Sequence, residues 1–430
     1  MEILSRIIPN NLRLKILKNK RILENFISLS LLQLFNYILP LVTIPYLLRV
    51  IGPDKYGIIA FGQALIQYFI IITDYGFNLT ATRDIARKRT SIDDVSKIVS
   101  TVLMIKSLIA IICLIVFLMI IISFNKFSKE FELYIYFFGM VVGNVLFPVW
   151  FFQGMERMKY ITAVNFMSKF IFTLAIFIFI KDVGDYKYVA LLNSLGSILA
   201  GFIALFIIIK VFKVKLIKPN YYNMVCCIKD GWYIFVSSIS INLYKMNNVF
   251  ILGLFAEDLI VGYFAIAKKL IDFVNQISSM VSQTVFPYVS NRIHEIGFSK
   301  ITTLLKTVLY FIIIITFCIG MIFFMIPDKI MYLVSGGCYH EAIWSLRVLS
   351  FVPLITGINV PAVQILLGYS YDRLFSAVVV AGGIINLIIN FILVPFIAYK
   401  GSCLAVILSE LFVTIGLYFA IIHLKKKHVL

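Results

Sequence analysis

Four lysines stand deep inside apolar stretches of this chain. Lys169, Lys245, Lys268 and Lys269 each lie within a long hydrophobic run, and Asp272 and Glu410 are the acids at comparable depth. At about 1.5 Å of rise per residue, Lys245 is ~12 Å from the end of its run, Lys268 and Lys269 ~9–11 Å, and Glu410 ~12 Å. Lys169 is near the middle of its own run. A charge at the centre of a bilayer costs about 2.5–3.5 kcal/mol on the mildest scale, so these side chains predict an internal polar cavity. The deep set sums to +2, which suits an anionic cargo better than an organic cation.

Each charge also has a plainer reading. Lys268 and Asp272 are i,i+4 and can pair on one helix face, leaving Lys269 over. Lys106, Lys306 and Arg347 lie within about seven residues of a run end and are expected to snorkel to the interface. Asp74 is expected to cap onto Arg83 or water. Glu410 either pairs with a neighbouring lysine or binds a proton. Gln33 and Asn36 share their run with Pro40 and Pro45, and amides at membrane depth face either a wet cavity or another helix. Similar clusters occur at Pro148–Gly154 and at Pro353–Gln364, and the concentration favours a cavity. Arg49 follows the first run and would stand at the outer mouth.

The elements that position these residues follow from composition. The 430 residues are 61% hydrophobic and 14% charged, with mean hydropathy +0.98. Soluble domains are roughly 25% charged, so a soluble enzyme, a disordered chain and a fibrous protein are excluded. An all-α polytopic membrane protein remains. The net charge of +18 sits between the apolar runs, where it reads as topogenic charge and attraction to anionic lipid, not as nucleic-acid binding. The six cysteines and four histidines are scattered without metal-ligand spacing, so no disulfide framework, metal site or cofactor is expected. No catalytic constellation is present, and the chain does not read as an enzyme.

Twelve spans are expected: 26–48, 57–78, 99–123, 133–152, 160–180, 188–209, 232–253, 260–289, 302–326, 343–367, 374–397 and 402–424. Sorting Lys and Arg by loop gives 24 on one side and 8 on the other. The positive-inside rule then places both termini in the cytoplasm. The division is a basic amphipathic inner-leaflet segment at 1–24, a first lobe at 25–210, a basic linker at 211–231, a second lobe at 232–424 and a basic tail at 425–430. The halves repeat weakly. Gly57–Leu65 and Gly262–Leu270 share Gly, Ala and Leu at a constant offset of 205. Two pseudo-symmetric six-helix lobes around a central cavity is a transporter architecture.

Four blocks carry a more specific resemblance. Arg49-Val50-Ile51-Gly52-Pro53-Asp54-Lys55-Tyr56-Gly57, Thr73-Asp74-Tyr75-Gly76-Phe77, Trp150-Phe151-Phe152-Gln153-Gly154-Met155-Glu156 and the passage Gly253 to Ala267 resemble, in order, the signatures of Wzx-type O-antigen flippases. These belong to the multidrug/oligosaccharidyl-lipid/polysaccharide exporter superfamily. The resemblance implies two six-helix lobes in a V, with spans one, two, seven and eight lining a cationic cavity. It also implies movement of undecaprenyl-diphosphate-linked oligosaccharide from the inner to the outer leaflet of the bacterial plasma membrane, alongside a polysaccharide polymerase and chain-length machinery. The residues expected to meet that cargo are Arg49, Lys169, Lys245, Lys268, Lys269, Gln33 and Asn36. Those that could couple an ion are Asp74, Asp272 and Glu410. Relatives often have Asp five residues before the span-seven glycine, where this chain has Asn248, so coupling through that acid does not carry over.

Two other classes have discriminating features. A multidrug or toxin antiporter of the same fold calls for a deep acid-rich lobe, against which the lysine excess argues. A membrane glycan polymerase calls for a large outer loop with reactive groups, and the longest outer loop, about 327–342, carries only Asp328, Lys329, His340 and Glu341. The topology is testable in a cysteine-free background. Cysteines replacing Asp54, Ser128, Gly184, Val334 and Lys400 should label from outside, and those replacing Thr90, Met158, Asn220 and Ile296 only after permeabilisation. Outside labelling at Asn220 would invert the second half and refute the parallel repeat.

Overall fold

A computed structural model describes residues 20–296, 298–369 and 371–426, and every regular element among them is helical. Residues 1–19 of the leading basic segment and 427–430 of the tail lie outside the described residues. The first half runs through α1 (Lys20–Asp74), α2 (Phe77–Lys88), α3 (Ile92–Ser123), α4 (Asn125–Ser128), α5 (Phe131–Leu146), α6 (Val149–Gly154), α7 (Met158–Phe179) and α8 (Tyr186–Lys210). The second half runs through α9 (Tyr221–Phe255), α10 (Asp258–Ile296), α11 (Phe298–Met325), α12 (Pro327–Ser335), α13 (His340–Leu349), α14 (Val352–Gly368) and α15 (Asp372–Lys426). Eight helical stretches among the described residues are long and apolar enough to cross a membrane.

Two helices are double-length for a physical reason. α1 and α15 each have 55 residues, about 80 Å at 1.5 Å per residue, against a hydrocarbon core of ~30 Å. Each breaks once. Gly52 interrupts α1 at φ 78°, a left-handed conformation that glycine adopts without steric cost. Ala398 interrupts α15 at φ 44°. The breaks fall between the expected spans one and two and between eleven and twelve. Outward faces of α3 and α15 are apolar, with Ile112, Met119, Ile122, Phe396 and Phe419 all exposed, as helices facing lipid require.

The chain forms two compact units. One holds the chain up to Pro40, Ile72–Ile176 and Leu191–Phe235, and the other Leu41–Ile71, Phe177–Ala190 and Val236–Leu430. In the first, Trp150, Phe151 and Phe152 are fully buried in a core with Phe77, Ile85 and Val99. The expected linker 211–231 is helical from Tyr221 onward, and its earlier part runs along α3, where the N–H groups of Lys215 and Ile217 donate to the hydroxyls of Ser96 and Ser100 at 3.0 and 2.9 Å. Those serines are i,i+4 on one helix face and the linker residues are i,i+2 along an extended segment, so the spacings match.

In the second unit, the later part of α1 packs along α9 and α10. A Cβ on Gly57 would lie 1.8 Å from the main-chain oxygen of Asp258, and one on Gly262 would lie 2.1 Å from that of Pro53. Both pairs obey the 205-residue offset, Gly57 with Gly262 and Pro53 with Asp258. The weak repeat marks two helix ends that cross each other, each with a small residue where the partner's backbone approaches, as membrane helices prefer. Farther along, Phe61 stacks on Phe250 and Tyr68 donates to the Asn247 Oδ1 at 2.8 Å.

Outside the apolar helices, the short turn Val183–Asp185 closes the connection between α7 and α8. The Asp185 carboxylate accepts from the N–H groups of Lys181 and Asp182, at 2.9 and 3.0 Å, and these hold it below the usual carboxylate range. Its pKa is lowered in the folded chain, so its contribution is present above the ordinary pKa and lost as pH falls through the lowered one. In Asp185→Asn, that acid-side sensitivity of the turn should disappear, read by proton exchange at the Lys181 and Asp182 amides. The glycine crossing gives a second expectation. Gly57→Leu or Gly262→Leu should lower stability by about 1–3 kcal/mol through overpacking. Gly184→Leu, with nothing within 4 Å of its Cβ position, should leave the thermal midpoint unchanged.

Candidate functional site

The residues expected to meet cargo fall into two groups, one in each unit. In the first unit, Lys169 on α7 donates to the Asn36 Oδ1 on α1 at 2.7 Å. These two candidates, 133 positions apart, are brought together at an exposed position, and Gln33 lies one turn earlier on the face of Asn36. In the second unit, Lys268 and Asp272 pair on α10 as their i,i+4 spacing suggests. Lys269 beside them is exposed, although Ala265, Ile266, Ala267, Leu270 and Ile271 around it in sequence are buried. Glu410 is half-buried on α15. The Lys245 side chain lies outside the described residues. Arg49 is engaged as a helix cap. Its Nη2 donates to the main-chain oxygen of Leu333 in the last turn of α12, at 3.0 Å, where orphan carbonyls and the helix dipole favour a cation.

Two expectations need correction. Lys106 does not snorkel: its side chain is 1% exposed and its ammonium lies 2.8 Å from the Asp74 Oδ1. Asp74 accordingly does not cap onto Arg83, which pairs with the neighbouring Asp84 at 2.9 Å. Distance from the end of a run ignores what stands beside it, and here a carboxylate and an amide from two other helices stand beside Lys106. The Asn144 Oδ1 and main-chain oxygen also accept from it, at 3.2 and 3.4 Å.

Asn248 anchors a neutral cluster that sequence reasoning did not assemble. Its Oδ1 accepts from Asn390 at 2.9 Å and Asn386 at 3.3 Å, while Ser402 donates to Asn390 at 3.1 Å and Asn386 to Ser409 at 3.1 Å. All five side chains are buried. The signal was the i,i+4 pair Asn386 and Asn390 in an otherwise apolar run. Neutral donors and acceptors that satisfy one another add about 0.5–1.5 kcal/mol per bond, without the desolvation cost of a buried ion.

The four sequence blocks are packing motifs. The first, Arg49–Gly57, lies on the fourth through the glycine crossing. The second opens α2 after Tyr75 and Gly76, both at positive φ, and the third packs on α2. Thr82 donates to the main-chain oxygen of Trp150 at 3.2 Å, Glu156 pairs with Arg89 at 2.7 Å, and a Cβ on Gly154 would lie 2.8 Å from Ile85.

The model of the family described as "Polysaccharide biosynthesis protein" matches residues 22–293. The chain belongs to that family. It is similar to a protein of Escherichia coli K12 named "Putative O-antigen transporter", at 29% identity over 392 residues, covering 91% of this chain and 94% of that one. Among solved structures it shares its fold with an inward-facing multidrug resistance MATE family transporter of the MOP superfamily, at TM-score 0.72 and 14% identity over 94% of this chain and 98% of that one. It also shares it with the lipid II flippase MurJ in an inward closed conformation, at TM-score 0.68 and 16% identity over 91% and 87%. This polysaccharide biosynthesis protein is thus an all-α, multi-pass membrane protein that shares its fold with structures described as a transporter and a flippase.

Proposed function

We propose that this polysaccharide biosynthesis protein flips a lipid-linked oligosaccharide across the bacterial plasma membrane. The cargo is an O-antigen or related repeat unit on undecaprenyl diphosphate, moved from the cytoplasmic to the outer leaflet by alternating access of twelve spans with both termini inside. The observation that carries this reading is cationic side chains held within apolar helices. Lys169 is steadied by Asn36, and Lys268 stands next to the exposed Lys269. Lysine offers a mobile point charge, suited to holding a diphosphate without locking it. The names of the E. coli relative and of the lipid II flippase support the same cargo class. The basic linker, with Lys213, Lys215 and Lys218 exposed, is placed to meet anionic lipid headgroups, and a polymerase with its chain-length partner would consume the product outside.

The neutral amide cluster supports uncoupled movement. It leaves Asp272 and Glu410 as the deep acids available to an ion, and Asp272 is paired. Deleting the gene should make a lipid-linked oligosaccharide accumulate on the inner leaflet, identified by mass spectrometry of extracted lipid. Lys245→Ala or Lys268→Ala should abolish surface glycan while the protein still inserts, and the Arg variants should retain part of it. Full surface glycan in the Lys245→Ala, Lys268→Ala, Lys269→Ala triple variant would remove these residues from the mechanism.

A further inference from the structure

The pocket around Lys106 has the composition of a monovalent-cation site. Its walls are a carboxylate oxygen of Asp74, the side-chain amide oxygen of Asn144 and the main-chain oxygen of Asn144, at 2.8, 3.2 and 3.4 Å from the ammonium. These are the hard oxygen donors that alkali and ammonium ions take. Two features make the pocket more electronegative than three oxygens alone. Asp74 is the last residue of α1 and Asn144 lies in the last turn of α5, so two helix C-termini converge on one point, and helix C-termini favour cations. The Asn144 carbonyl also lacks the N–H donor four residues ahead, because residue 148 is proline. Pro148 thereby releases an acceptor inside the bundle, and the ammonium takes it.

The occupant is covalently attached. Three oxygens lie within 3.4 Å of the ammonium, and its side chain is sealed from solvent, whereas Asp74 is 23% exposed. We propose that this pocket is a monovalent-cation site whose permanent ligand is the tethered ammonium of Lys106. The first unit thus carries its own neutralising cation for Asp74 and takes none from solution. The inference deepens the uncoupled reading of transport, yet its main test does not need transport at all.

Lys106→Ala empties the pocket and leaves Asp74 and Asn144 in place. The purified full-length variant should unfold at a lower temperature than the native chain in choline chloride. Ammonium or methylammonium chloride at equal ionic strength should recover most of that loss with saturable concentration dependence, while the native midpoint should be the same in every salt. Equal midpoints for the variant in choline, sodium, potassium, ammonium and methylammonium would overturn the proposal. Asp74→Asn with Lys106→Met provides the second arm, because it removes the site and its occupant together. It should insert and be indifferent to these salts. If Lys106→Ala does not insert, this double variant decides alone. Its failure to insert would contradict a pair whose work is mutual neutralisation. A folded double variant whose midpoint still rises with ammonium or methylammonium would likewise overturn the proposal, because the response would not come from this site.

Discussion

Hydrocarbon supplies no hydrogen bonds, so every polar group carried into it must bring its own partner. The arrangement of this chain follows from that constraint. Lys106 can be sealed at 1% exposure because a carboxylate and two further oxygens meet it. Asn248, Asn386 and Asn390 can be buried because their amides alternate as donor and acceptor. The crossing of Gly57 over Gly262 follows from the same lack of a hydrophobic drive between membrane helices, which leaves close packing to hold them. Removing a methyl group from each helix lets main-chain oxygens of Pro53 and Asp258 approach the partner's backbone.

The recurring sequence blocks take a different meaning in that light. Two of their residues, Arg49 and Asp74, carry expectations from the sequence as a cargo contact and an ion-coupling acid. In the structure Arg49 caps α12, Asp74 neutralises Lys106 and Glu156 ties to Arg89. These residues set where helices begin, break and cross. The lysines to which the proposed function assigns an anionic headgroup, Lys169, Lys268 and Lys269, lie outside the blocks or at their edge.

Much of this was legible in the sequence because it is local or periodic. The break at Gly52 sits in an expected short loop and the Lys268–Asp272 pair follows from helix spacing, whereas the 205-residue offset showed a repeat and the structure added that its two copies touch. What was not legible depends on neighbours far along the chain. Lys106 looked like a snorkelling residue because its distance from a run end said nothing of Asp74, 32 positions away. The partners of Asn248 lie more than 130 positions on. The halves of the sequence do not coincide with the compact units either, since Leu41–Ile71 and Phe177–Ala190 pack with the second half. Arg49 on α1 shows why for the first of these, donating to the main-chain oxygen of Leu333 at 3.0 Å.

On the function proposed above the chain is a carrier that moves an anion down the membrane potential, a reading that the uncharged amide cluster around Asn248 and the Lys106 ammonium held by Asp74 support. A diphosphate of charge about −2 leaving a negative interior gains roughly 4–5 kcal/mol at 100 mV, from ~2.3 kcal/mol per charge. The direct measurement is flipping in proteoliposomes with membrane potential and pH gradient imposed separately, on the native chain and Glu410→Gln. Transport that follows the potential, persists with the pH gradient collapsed and survives in Glu410→Gln is the expected result. Transport that follows only the pH gradient and vanishes in Glu410→Gln would establish proton antiport through that acid and contradict the account.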